Sequence, residues 1–171
     1  MIKILGAVLI VIATSLIGFE VSKKLIARPK HIRDLRAALQ ILEAEIMYGH
    51  SPLKEAVLLL AKQIPAPVSI LFKDFASKLG SANQSVQSAW RDSLEVVRKH
   101  SELQQKEIDI LLQFGETLGK HDRESQQKQI QLALVLLDRE ETDAVEKQMK
   151  YDKMARSLGF FAGLLIAILL M

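Results

Sequence analysis

The sequence predicts an all-α protein, an antiparallel bundle of about six helices with a hydrophobic transmembrane helix at each terminus. Three observations carry that expectation. Leu, Ile, Ala, Lys, Glu and Gln dominate a chain that is 49% apolar yet only 5% aromatic, and helices accept these residues at little cost. Apolar residues recur at three- and four-residue steps between Pro and Gly punctuation, with no β-alternation of useful length. The most apolar stretches lie at the two ends. The 171 residues suit one domain.

The N-terminal run, Ile4 to Phe19, has sixteen positions without a charge. As a helix it is about 24 Å long, against a bilayer core of about 30 Å. The competing reading is a cleaved signal peptide, but no clean small-x-small cleavage site precedes Glu20. The C-terminal run, Leu158 to Met171, is apolar all round and ends the chain. Gly159 and Gly163 give it a small-xxx-small pattern through which another helix could pack in the membrane.

The flanks set an orientation. Lys23, Lys24, Arg28, Lys30, Arg33 and Arg36 follow the first run, and Lys147, Lys150, Lys153 and Arg156 precede the second. The positive-inside rule then puts the stretch between the two runs in the cytosol. The expected organisation is an N-terminal anchor over 1–21, a cytosolic bundle over 22–157 and a C-terminal transmembrane segment over 158–171, a two-span protein of the cell membrane.

Within the bundle the elements follow in order. Ile32, Leu35, Leu39, Leu42 and Ile46 make the first stripe, with Pro29 a place for a kink or break and Gly49 a stop. Ser51 as N-cap and Pro52 open the next helix, carrying Leu53, Val57, Leu60 and Ile64. Pro65-Ala66-Pro67 ends it. A third helix from Val68 carries Leu71, Phe72, Phe75 and Leu79 to Gly80, and a fourth carries Val86, Trp90, Leu94 and Val97. Ser101 with Gln104 resembles a capping box for a fifth, with Leu111, Phe114 and Leu118, closed by Gly119. Asp122 is placed to cap a long sixth helix bearing Ile130, Leu134, Leu137, Val145 and Met149, with no breaker before Gly159.

Catalytic chemistry is not visible. The chain has no Cys, which removes thiolate nucleophiles and thiolate metal sites. It has no GxxxxGK[ST], GxGxxG, HExxH or GxSxG motif, so no enzyme activity and no cofactor is expected. His31, His50, His100 and His121 are scattered without ligand spacing and read as surface histidines. Glu43 and Glu45 sit two apart on a helix, face different ways and read as solvated. Trp90 at helical spacing reads as core. The exception is the dense charged stretch around Asp138, Glu140, Glu141 and Asp143 on the last helix. It reads either as a solvated face or as a docking patch for a basic partner surface. The net charge of +3 makes no case for nucleic acid.

The opening MIKILGAVLIVIATSLIGFEVSKKL, followed by RPKHIRDLRAALQILEAEIMYGHSPLKEA, resembles the stage III sporulation protein AB family of endospore-forming bacteria, and the likeness covers essentially the whole chain. More distantly, Leu35 to Val97 is similar to the F domain of the platform proteins of type II secretion and type IV pilus systems, a six-helix antiparallel bundle. Gly49, Pro52, Leu53 and Ala56 match that domain's first turn loosely. Ser85 to Ala89 echoes its later small-residue turn, with Asn83 where Gly is usual. The resemblance implies a non-enzymatic platform subunit of a mother cell–forespore channel, on the mother-cell side of the outer forespore membrane. It implies as partners the stage III sporulation protein AA ATPase and other products of the same operon, and self-association, since the platform family usually carries two copies of the domain. The competing functions are a membrane-tethered regulatory adaptor and a membrane-anchored hydrolase.

Overall fold

The structure, a computed structural model, describes residues 2–49, 52–80, 84–119 and 123–170. These residues form helices and no strand. In chain order they are α1 (Ile2–Tyr48), α2 (Leu53–Gln63), α3 (Val68–Lys78), α4 (Val86–His100), α5 (Gln105–Gly115) and α6 (Arg123–Leu170). The contacts divide the chain into two units, one of residues 30–142 and one of residues 1–29 with 143–171.

The bundle unit is built as the apolar spacing requires. Ile32, Leu35, Leu39 and Leu42 of α1 are buried, as are Val57 and Leu60 of α2 and Leu71, Phe72 and Phe75 of α3. Trp90, Leu94 and Val97 of α4, Ile108, Leu111 and Phe114 of α5, and Ile130 and Leu137 of α6 complete the core. Trp90 sits at its centre, with Phe75 and Phe114 edge-on at 5.1 and 5.6 Å and Phe72 tilted at 6.0 Å. Such edge-to-face pairs add to the area they bury. The indole Nε1 donates to the Leu111 carbonyl at 2.7 Å, so its one polar atom is satisfied. Gly115, one turn beyond Leu111, makes the approach possible: a Cβ there would lie 2.0 Å from Trp90 Cδ1.

The connections explain where the helices stop. Ile64 is extended ahead of Pro65, as a pre-proline residue prefers. Gly80 and Gly119 take positive φ, 95° and 74°, which only glycine adopts freely. Ser85 caps α4, its hydroxyl accepting from the Ser88 amide at 3.1 Å.

Three local expectations are corrected. α5 starts at Gln105, and its capping partner pair is Gln104 with Glu107, whose carboxylate accepts from the Gln104 amide at 2.6 Å. Ser101 lies too early because α4 runs on to His100. α5 ends at Gly115, and tight i→i+3 bonds from Thr117 and Leu118 carry the chain on to Gly119. Finally, α1 does not break at Pro29; Arg28 and Pro29 are helical and buried, and packing outweighs the lost backbone bond. Ser51, Asn83 and Asp122 lie outside the described residues.

The transmembrane expectation is also corrected. Among the described residues no helix is long and apolar enough to cross a membrane. The two-span placement in the cell membrane, with a cytosolic centre, is therefore withdrawn, together with the transmembrane helices at the termini. The physical reason is length. The apolar runs are not elements of their own but ends of α1 and α6, which continue into charged sequence. Alone they supply about 24 and 21 Å against a bilayer core of about 30 Å.

Candidate functional site

The dense charges of α6 meet those of α1 within the bundle unit. Arg33 and Arg36 lie three apart on α1, and Asp138 and Glu141 lie three apart on α6, so each pair shares a helix face. Glu141 is buried at 8% exposure. It accepts from Arg33 Nε at 2.9 Å through one oxygen and from Arg36 Nη1 at 2.5 Å through the other. Arg36 Nη2 reaches Asp138 at 2.8 Å, so one guanidinium bridges two carboxylates. The planar fork of arginine suits this arrangement, and lysine could not make it. Two members look outward: the side chains of Arg33 and Asp138 are 66% and 60% exposed.

The remaining acids of the stretch face elsewhere. Glu140 turns toward α5, 3.7 Å from Lys106. Asp143 pairs with Lys147 one turn on at 2.7 Å and lies 3.9 Å from Arg28. The structure thus places all four acids beside cations, and brings only Asp138 and Glu141 into one cluster. The packing around Gly159 and Gly163 lies outside the described residues.

Sequence reasoning missed two features. Glu43, read as solvated, accepts at Oε1 from Gln127 and Gln131 of α6 at 2.9 and 3.2 Å. The two glutamines are four apart on one face, a signal that a contact partner for Glu43 was needed to interpret. His31 on α1 is half-buried, and its Nδ1 accepts from the Glu102 amide in the α4–α5 connection at 3.2 Å. Burial pushes its pKa below the ordinary 6.5, against Asp34 and Glu102, which favour the imidazolium. Burial likewise pushes the Asp34 carboxyl above its ordinary 3.8, and its Oδ2 is buried without a hydrogen-bond partner. His100 is exposed, its Nδ1 2.8 Å from the Val96 carbonyl, and His50 and His121 lie outside the described residues.

A cavity of about 210 Å³ opens between Glu45 and Gly49 at the end of α1, Leu53 of α2, and Arg123 and Gln126 at the start of α6. It falls below the roughly 300–1,000 Å³ usual for small-molecule pockets.

These features define a helical bundle in which charged side chains tie α6 to α1 and α5. The comparisons make the class specific. The family profile described as stage III sporulation protein AB matches residues 3–171. The chain is 54% identical over 171 residues to the stage III sporulation protein AB of Bacillus subtilis strain 168, covering 100% of both. A solved structure of a stage III sporulation protein AB superposes with a TM-score of 0.69 at 52% identity, covering 72% of this chain and 98% of that one. The chain belongs to the stage III sporulation protein AB family.

Proposed function

We propose that this chain is a non-enzymatic scaffold subunit of a secretion-like channel complex between mother cell and forespore, where it couples a cytosolic ATPase to the rest of the complex. The observation that carries this reading is the identity to a stage III sporulation protein AB along the full length of both chains. The likeness of Leu35 to Val97 to the F domain of secretion platforms supports the ATPase as partner, namely the stage III sporulation protein AA. The docking surface is the acidic stretch of α6, and within it Asp138 offers a partner the most surface, its side chain 60% exposed against 40% for Asp143, 13% for Glu140 and 11% for Glu141.

Self-association belongs to the same reading. In the unit of residues 1–29 and 143–171, Leu16, Ile17, Phe161 and Leu165 are each 60% exposed or more. Apolar area of that kind marks surfaces that another protein covers, and Gly159 and Gly163 would let a helix of a second copy approach.

The test is capture of the purified stage III sporulation protein AA ATPase by the full chain, combined with replacement of the gene in a sporulating host. The expected results are a stable complex and a block in sporulation when Asp138 is reversed to Lys at unchanged protein level. Absence of binding together with normal sporulation of the Asp138→Lys strain would overturn the reading.

A further inference from the structure

The connection between α4 and α5 is held to α1 by a bond that only one protonation state of a histidine can make. A backbone amide is a donor and nothing else, so His31 Nδ1 must present its lone pair to the Glu102 N–H, and the ring proton sits on Nε2. We propose that His31 is a proton-sensitive fastener: neutral, it holds the Ser101–Gln104 connection against α1, and on acidification it lets that connection go.

The chemistry is direct. A proton added at Nδ1 sets an N–H against the Glu102 N–H at 3.2 Å, which turns an attraction into a repulsion. The charged groups that face the ring are Lys30 and Asp34 on α1 and Glu102 on the connection. The two carboxylates favour the imidazolium and Lys30 opposes it, while burial opposes it most. The neutral ring is thus the resting state at neutral pH, and the switch lies on the acid side of 6.5. What is released matters to the bundle. Gln104 and Glu107 cap α5 immediately after the connection, and Lys106 on the next turn reaches Glu140 of α6. Loosening residues 101–104 frees the start of α5, and with it the Lys106 partner of the α6 acids.

The experiment is amide hydrogen exchange on the full chain between pH 8 and 5, corrected for intrinsic rates, with the His31 ring titrated by NMR in the same sample. The expected result is that His31 titrates below 6.5. The Glu102 amide should then lose about tenfold protection for each pH unit between 6.5 and the lower folded pKa, because opening takes up one proton. Core amides such as Leu94, which exchange only on global unfolding, should stay far better protected than Glu102 throughout while declining with the same slope, since unfolding also frees His31. In His31→Gln, whose amide oxygen can still accept but does not titrate, the Glu102 amide keeps a protection that no longer changes with pH. Glu102 protection that stays constant while His31 titrates would overturn the proposal, as would a His31 pKa at or above 6.5. Both readouts come from the unaltered protein, so they hold even if the variant folds poorly.

Discussion

Gly115→Ala tests the centre of the bundle most sharply. The new Cβ would stand 2.0 Å from Trp90 Cδ1, 2.6 Å from Nε1 and 2.9 Å from Cγ, so the indole must move. It has nowhere to go, since Trp90 is 1% exposed and Phe72, Phe75 and Phe114 surround it. Forcing a methyl into a packed core costs about 1–3 kcal/mol. Pulling the indole N–H off the Leu111 carbonyl leaves a buried donor unpaired, about 1–3 kcal/mol more. Alanine returns about 1 kcal/mol of helix propensity. The net expectation is a loss of about 3 kcal/mol, read as a lower urea midpoint at unchanged slope by far-UV circular dichroism. Trp90 is the chain's single Trp, so its fluorescence should shift in the folded variant. Trp90→Phe should also destabilise, but the double variant Trp90→Phe/Gly115→Ala should be more stable than the sum of the two losses. A Gly115→Ala protein within about 0.5 kcal/mol of the parent would refute this account of the core.

Other expectations concern the charges. Glu141→Leu removes the buried carboxylate that Arg33 and Arg36 share, leaving Arg36 with Asp138 alone, and should cost about 2 kcal/mol in urea unfolding. Asp138→Lys touches a largely exposed carboxylate and should cost less than about 1 kcal/mol, so any loss of ATPase capture in that variant reports on docking. Stability near pH 6 should fall with acidification, because folded His31 binds its proton less tightly than the unfolded chain does; that contribution is intact above 6.5 and is lost as pH drops through the lowered folded pKa. Asp34 has the opposite sign: its raised pKa means protonation above 3.8 favours the folded state, so Asp34→Asn should flatten the unfolding profile in that lower window and raise stability at neutral pH.

The helices were legible because each apolar stripe is bounded by a residue with one local meaning. Pro65 and Pro67 end α2 and admit α3 at Val68, and Gly80 and Gly119 supply turns that other residues resist. Where two signals competed, the local reading failed. Ser101-x-x-Gln104 and Gln104-x-x-Glu107 overlap, and only the downstream end of α4 decides which opens α5. Pro29 was read by its own cost, when its neighbours' burial determines whether the helix continues. The apolar termini were read by hydropathy more than by length, and length governs spanning. His31 and Glu43 carried no signal at all, because their partners are 71 and 84 residues away.

The acidic stretch of α6 shows why composition could locate a site but not describe its surface. Successive residues on a helix turn through about 100°, so four acids within six positions cannot share a face. Asp138 and Glu141 look to α1, Glu140 looks to α5, and Asp143 closes on Lys147 in its own helix. The negative charge counted in the sequence is thus largely answered by cations of the same chain. What reaches solvent is the outer edge of the network, where Asp138 stands beside the equally exposed Arg33. A partner that docks there meets both signs close together. A uniformly basic surface would be attracted by Asp138 and repelled by Arg33. Its complement is therefore a face with a cation and an anion in matching order, and exchanging the charges of Arg33 and Asp138 together should impair docking even though the net charge of the patch is unchanged.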